Sequence, residues 1–251
     1  CFFVAFTINQ KLVSQVCDGI LSSGMQIHWR CTARVDCLTE ELILKMKSAG
    51  LNQIELGVES GSAKIQKLIH KNLNLEKAQK TIAFLLEQGI KVTTFFMYGL
   101  PQETEQDLNE TLELIFTLVD MGIHGVSMSY CMFTPTTELT QQYFDQLVMD
   151  PKIKVITEGT FGFQEELDVI RENKSLFPFF YHLPTPQREK FQYLDFFVDL
   201  YYRFPETVQE LRKCYKGDNL RFYCDMIRNN PEIFSDSIEN IEKNVREKAL
   251  Q

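Results

Sequence analysis

The chain has 251 residues, 44% hydrophobic and 24% charged, with a formal charge of -8, a composition that suits a globular protein with one sizeable core and an appended piece. The acidic balance argues against a dominant nucleic-acid footprint, which normally shows as clustered Lys and Arg, so an RNA substrate would need help from elsewhere. No apolar run reaches the ~20 residues of a membrane span, no signal peptide is legible, and seven Cys without a C-x-x-C pair read neither as a disulfide framework nor as a zinc site, which suits a reducing cytoplasm.

The chain opens at Cys1, inside the apolar run Cys-Phe-Phe-Val-Ala-Phe and without an initiator Met, which points to a piece of something longer. From residue 1 to about 140 strand and helix patterns alternate, the mark of α/β architecture with a parallel sheet. The first unit is a strand over 2–8 and a helix over 10–23 opened by Asn9. A strand over 26–34 precedes a helix over 40–49, where Thr39 is the cap and Glu40 and Glu41 complement the helix dipole. A strand over 52–59 leads to helices over 62–70 and 75–88, the second capped by Asn74 and stopped by Gly89. A strand over 91–98 leads to a helix over 104–120 with Leu108, Leu112, Ile115 and Val119 on one face. The last strand, over 124–132, ends at Phe133-Thr-Pro135.

Five units are too few for an eightfold barrel, so residues 1–150 are expected to form either an open sheet or a partial TIM-like (β/α) barrel that lacks its first strand. The periodicity then changes. A Pro- and aromatic-rich stretch at 177–186 and helical patterns over 186–203, 205–214, 218–229 and 231–248 predict a C-terminal, mainly helical domain over 151–251. Its Phe196, Phe197, Tyr201 and Tyr202 read as core or dimer surface, and His124 and His182 as structural residues.

Alternation along each strand separates a helix-facing set from an interior set. Trp29, Cys31 and Ala33 oppose Arg30, Thr32 and Arg34, while Ile54, Leu56 and Val58 oppose Gln53, Glu55, Gly57 and Glu59. Ser127 and Ser129 lie opposite Val126, Met128 and Tyr130. The interior is therefore polar and must carry ion pairs, water or a ligand. Equal spacing allows Arg30 to pair with Glu55 and Arg34 with Glu59. The lower rung reads equally well as a structural ladder, whereas the upper one, at the carboxyl ends of the strands, reads as ligand contact.

Two strands run straight into Gly-containing turns that open helices: Gly57-Val-Glu-Ser-Gly-Ser62 and Gly99-Leu-Pro-Gln-Glu-Thr104. In a parallel barrel such ends gather a carboxylate, backbone N-H groups and a helix N-terminus at one mouth. The two segments resemble the "GVESGS" and "GLPGET" strand ends of the radical S-adenosylmethionine superfamily. Over residues 1–140 the chain is similar to its cobalamin-associated members, of the anaerobic magnesium-protoporphyrin ester cyclase type.

The resemblance implies that Glu59 and Ser60 reach the ribose and methionyl parts of S-adenosylmethionine, and that Gly99, Leu100, Pro101 and Glu103 lie against the adenine. It implies that Arg34, in a stretch similar to "xxRVD", faces the cofactor's carboxylate or a substrate anion while Asp36 caps or orients the adjoining turn. Thr134, in a segment similar to "PxPGTEL", would close the adenine pocket. Gln102 and Thr136 stand where the family has Gly, and Phe133 where it has Pro.

The family's C-x-x-x-C-x-x-C loop is absent, so no metal ligand is assigned and Cys1, Cys17, Cys31, Cys37, Cys131, Cys214 and Cys224 are read as structural thiols. In intact members that loop lies after the first strand, upstream of residue 1. The resemblance thus implies S-adenosylmethionine and a 4Fe-4S cluster as cofactors of the full-length protein, and it is compatible with cobalamin bound by an upstream domain of the same protein. The implied reaction is reductive cleavage to a deoxyadenosyl radical for hydrogen abstraction, or methyl or cyclase chemistry, on a small-molecule or tetrapyrrole-like substrate. This piece alone is expected to be inactive. A non-catalytic binding or scaffold protein on the same half-barrel remains open, as does an unrelated α/β enzyme with a phosphate ligand at the strand ends, although neither a P-loop nor G-x-G-x-x-G is present.

Overall fold

A computed structural model describes residues 2–3, 6–149, 164–185, 190–191 and 193–229, so the expected helix over 231–248 lies outside the described residues. Five strands, β1 (Phe2–Phe3), β2 (Trp29–Ala33), β3 (Leu51–Glu59), β4 (Lys91–Tyr98) and β5 (Gly125–Tyr130), stand side by side in chain order. The first three neighbouring pairs are parallel. The fourth runs the same way, because the His124 N-H donates to the Val92 carbonyl and the Cys131 N-H to the Tyr98 carbonyl, both at 2.7 Å. Strands adjacent in chain order with helices in the crossovers wind as a barrel does, here as a partial one.

The helices begin where side chains can take up orphan N-H groups. α1 (Gln10–Ser23), α2 (Glu40–Ser48), α3 (Ala63–Leu68), α4 (Leu75–Glu87) and α5 (Glu105–Asp120) are capped by Asn9, Thr39, Ser62, Asn74 and Thr104, each accepting from an N-H three residues on. Such caps contribute about 1 kcal/mol each. β1 is shorter than the expected 2–8, and Phe6–Ile8 form a 3-10 turn instead. The fully buried Thr7 accounts for the difference: its hydroxyl accepts from the Arg34 N-H at 3.1 Å, so a side chain replaces a strand rung there.

Among the described residues, those within 2–97, 103–129 and 193–229 form one compact unit, and 98–102 with those of 130–149, 164–185 and 190–191 form another, a division that does not follow a cut at 150. Three C-terminal helices, α8 (Leu194–Arg203), α9 (Pro205–Lys213) and α10 (Asn219–Asn229), belong to the unit of the sheet. Their presence explains why α5 buries more than the one expected stripe, leaving Gln106, Glu110, Glu113 and Asp120 exposed. Leu108, Leu112, Ile115 and Val119 are buried as expected, but so are Leu114, Phe116 and Leu118. Phe116 stacks on Tyr201 at 4.1 Å between centroids and meets Phe197 edge-on at 5.9 Å, so this helix is covered on both faces.

Polar groups hold the same attachment. Asn219, fully buried, donates its backbone N-H to the Asn109 side-chain oxygen Oδ1 at 2.8 Å and its side-chain amide to Glu113 at 2.9 Å, while Tyr201 donates to Asp120 at 2.8 Å. Phe197 and Tyr201 are therefore core.

The other unit is not purely helical. α6 (Glu138–Tyr143) and α7 (Gln164–Glu172) accompany an antiparallel pair, β6 (Val148–Met149) and β7 (Tyr181–His182), around Phe133, Leu147, Ile170, Phe180, Tyr181 and Leu183. Among the described residues no helix is long and apolar enough to cross a membrane.

Candidate functional site

Alternation along β2, β3 and β4 is visible in burial: Trp29, Cys31, Ala33, Ile54, Leu56, Val58, Val92 and Phe96 are buried towards the helices, whereas Glu55, Gly57, Glu59, Thr93 and Phe95 are half-buried on the other face. The lower rung forms as expected, with Arg30 Nη1 at 3.8 Å from Glu55 Oε1. With the arginine side chain 54% exposed, the pair contributes at most about 1 kcal/mol.

The upper rung is different: Arg34 does not pair with Glu59. After Ala33 the chain bends into the 3-10 turn Val35–Cys37, which brings Asp36 to its own neighbour. Arg34 Nε and Nη2 donate to the two Asp36 oxygens at 3.1 and 2.8 Å, a fork-on-carboxylate contact. Asp36 thus orients Arg34 rather than capping a helix. Glu59 pairs instead with Lys71, Nζ to Oε1 at 2.7 Å, with the two side chains 24% and 11% exposed. Arg34 holds the Asp36 carboxyl below its ordinary value, and the charge of Lys71 lowers it further, so the two ion pairs lie within electrostatic reach. Arg34–Asp36 and Glu59–Lys71 are thus two separate ion pairs at the carboxyl ends of β2 and β3.

Glu59 sits in the left-handed region, φ 71°, just past a register shift in the β3–β4 pairing. Its side chain folds back over Gly57. Lys71 comes from a turn whose flanking residues, His70 and Asn72, also have positive φ, 54° and 49°. Buried Gln66 ties that turn to the strand end, because its carbonyl accepts from the N-H groups of Lys71 and Asn72 and its side chain donates to the carbonyls of Val58 and Ser60, both at 2.7 Å. Three non-glycine residues held at positive φ around one charge pair mark a strained and over-determined site.

Ser60 is fully buried, its hydroxyl bonded to Thr111 Oγ1 at 2.9 Å and accepting from the Ser62 N-H at 3.1 Å. It therefore holds the turn. Glu103 is half-buried and directly precedes the Thr104 cap.

Gly99, Leu100, Pro101 and Thr134 belong to the second unit. Leu100 is 3% exposed and Pro101 is buried. Gly99, at φ 77°, has the Tyr130 ring against its backbone, and a Cβ would stand 2.2 Å from the ring. The flat group beside this glycine is thus the chain's own. The Thr134 carbonyl accepts from the Thr137 and Thr140 hydroxyls at 3.0 and 2.7 Å, which engages the backbone expected to close a pocket. Gln102 and Thr136 keep φ values of 63° and 65°, the conformation that Gly adopts without strain.

Sequence reasoning missed Lys71 and Asp107. Lys71 lies in an ordinary-looking His-Lys-Asn turn, and only its chain distance of one short helix from Glu59 could have pointed to it. Asp107 carried a signal in Thr104-x-x-Asp107, the spacing of a capping box, which the structure forms. Cys17, Cys31 and Cys131 are buried free thiols, and burial, helped by Glu55, pushes the Cys31 thiol up to about 12. Among the described residues no group of three or more His, Cys, Asp or Glu could hold a metal ion.

Residues 8–115 match the model of the Radical SAM superfamily. A putative methylthiotransferase of Methanocaldococcus jannaschii is 37% identical over 106 residues, 42% of this chain and 23% of that protein. An anaerobic magnesium-protoporphyrin IX monomethyl ester cyclase of Rubrivivax gelatinosus is 28% identical over 110 residues, 43% of this chain and 20% of that protein. The solved structure of OxsB, a cobalamin-dependent S-adenosylmethionine radical enzyme with aqua-cobalamin bound, is 18% identical with a TM-score of 0.48, over 96% of this chain and 44% of that one. The chain spans only about a fifth to a third of the curated relatives it matches.

Proposed function

We propose, from the premise that residues 8–115 belong to the Radical SAM superfamily, that this chain carries the part of a radical enzyme that grips S-adenosylmethionine. The observation that carries the reading is the pair Glu59–Lys71, with Arg34–Asp36 beside it, in a strained turn at the carboxyl ends of parallel strands. A carboxylate suits vicinal ribose hydroxyls, which need an acceptor, and ammonium and guanidinium groups suit a carboxylate. S-adenosylmethionine presents both, together with a positive sulfonium and amine that a site with two carboxylates tolerates.

Bound S-adenosylmethionine supplies radical chemistry on reductive cleavage, and in this superfamily a 4Fe-4S cluster is the reductant. The described residues do not fit a cluster, since no three Cys, His, Asp or Glu among them are grouped to hold a metal ion. What this chain's residues do is bind and orient: Lys71 neutralises and aims Glu59, Asp36 aims Arg34, and Gln66 fixes the turn between them. The substrate, whether a tetrapyrrole-like or another small molecule, and the outcome, cyclase or methyl transfer, belong to the whole protein. So does any cobalamin bound by an upstream domain.

Titration calorimetry with S-adenosylmethionine tests the reading. Glu59→Gln and Lys71→Ala should each weaken binding at least tenfold, and an affinity unchanged in both variants rejects it. A rival reading, a scaffold that kept the half-barrel without its chemistry, is favoured by the Tyr130 ring on Gly99 and the capped Thr134 carbonyl. It predicts no binding by the unsubstituted chain.

A further inference from the structure

We propose that Asp107 is a positioning residue for ligand binding, because its carboxylate ties the first turn of α5 to the turn Ser60–Ser62 and so holds Glu59 in its left-handed conformation. The inference rests on the reading of Glu59 as a ligand-gripping carboxylate and deepens it.

A helix cap needs only one oxygen of Asp107. Oδ2 serves that role, accepting from the Thr104 N-H at 2.8 Å and the Thr104 hydroxyl at 2.6 Å, with Lys64 Nζ at 2.7 Å. Oδ1 reaches elsewhere: it accepts from the Ser62 hydroxyl at 2.6 Å, across 45 residues of chain. The side chain is 7% exposed, so these donors stand in for water. Burial alone would raise the Asp107 pKa, but the hydrogen bonds from Lys64, Ser62 and Thr104 outweigh it and keep the group ionised well below the usual carboxylate range.

One helical turn on, Thr111 repeats the contact. Its hydroxyl donates to the Asp107 carbonyl at 2.9 Å, accepts from the Gly61 N-H at 3.0 Å and meets Ser60 Oγ at 2.9 Å. Between these anchors Gly61 lies so close to α5 that a Cβ would stand 2.5 Å from the Glu110 carbonyl oxygen. Three consecutive residues are therefore fastened to one helix, directly after a glutamate whose backbone would relax out of the left-handed region if released. Ser62 in turn caps α3, and α3 carries Gln66, which holds the Lys71 turn. Asp107 thus stands behind both members of the Glu59–Lys71 pair without touching either.

Hydrogen exchange read over peptides spanning 57–66 tests the tie, with Asp107→Asn as the main variant and Ser62→Ala as the milder one, which removes a single hydroxyl should the first not fold. Both should raise exchange over 59–63 at least tenfold while the cooperative melting transition persists. Titration with S-adenosylmethionine should show at least a tenfold loss of affinity in the same variants. Faster exchange confined to 104–108, or a folded variant that binds within twofold of the unsubstituted chain, overturns the proposal. Failure of the unsubstituted chain to bind sinks the Glu59 reading, and the ligand half of this one with it, while the exchange measurement still decides whether Asp107 holds the turn.

Discussion

Gly99→Ala tests what the space beside this backbone is for. At φ 77° any side chain costs roughly 1–2 kcal/mol in the backbone alone. The added Cβ would also lie 2.2, 2.4 and 2.8 Å from three Tyr130 ring atoms, and forcing that ring away adds about 1–3 kcal/mol of overpacking. The ring has little freedom to yield, since it packs edge-on against Tyr98 at 5.3 Å and its hydroxyl reaches the Leu183 carbonyl at 3.4 Å. The expected loss is therefore about 2–5 kcal/mol in urea unfolding followed by near-ultraviolet circular dichroism. In a Tyr130→Ala background only the backbone cost should remain, which gives a coupling of roughly 1–3 kcal/mol between the two positions. Equal losses in both backgrounds would refute the argument that Gly99 makes room for this tyrosine.

Thr136→Gly should stabilise by about 1 kcal/mol, because a β-branched residue at φ 65° is strained more than glycine's extra chain entropy costs; no rise in midpoint would count against it. Asn219→Ala should cost about 1–3 kcal/mol in the same unfolding assay, since it removes the buried partner of Glu113 and Arg212 in a partly buried network. Asp36, Asp107 and Glu113 all titrate lower in the folded chain than in the unfolded one, so the folded state binds fewer protons below about pH 5. Stability should be level above the unfolded pKa values and fall as pH drops through the folded ones. Asp107→Asn should flatten that fall, and an unchanged acid limb would show that the network does not stabilise the folded state.

The α/β frame was legible because its signals are local. Caps at Asn9, Thr39, Asn74 and Thr104 and the alternation along β3 and β4 each follow from a few neighbouring residues. Glu59 and Arg34 were legible as charges at strand ends, but their partners were not. Register puts Thr32 opposite Glu55, and past Ala33 the chain leaves the strand, so equal spacing no longer predicts which groups meet. Lys71 is delivered by a turn with positive φ at His70 and Asn72, residue types that take this conformation more readily than most, but a His-Lys-Asn string does not say which strand end the turn folds back on. The C-terminal helices looked like a separate domain because periodicity reports which face is apolar and is silent on what covers it. Phe116 and Leu118 lay off the expected stripe of α5 and were the available hint.

That shared cover bears on how the chain can be cut or recombined. A boundary drawn at residue 150 would strip α5 of Phe197 and Tyr201 and leave Phe116 facing water, inviting self-association. A chimera that exchanges residues 193–229 for a homologous tail should travel with Asn109, Glu113, Phe116 and Asp120, since those side chains form the socket that receives it.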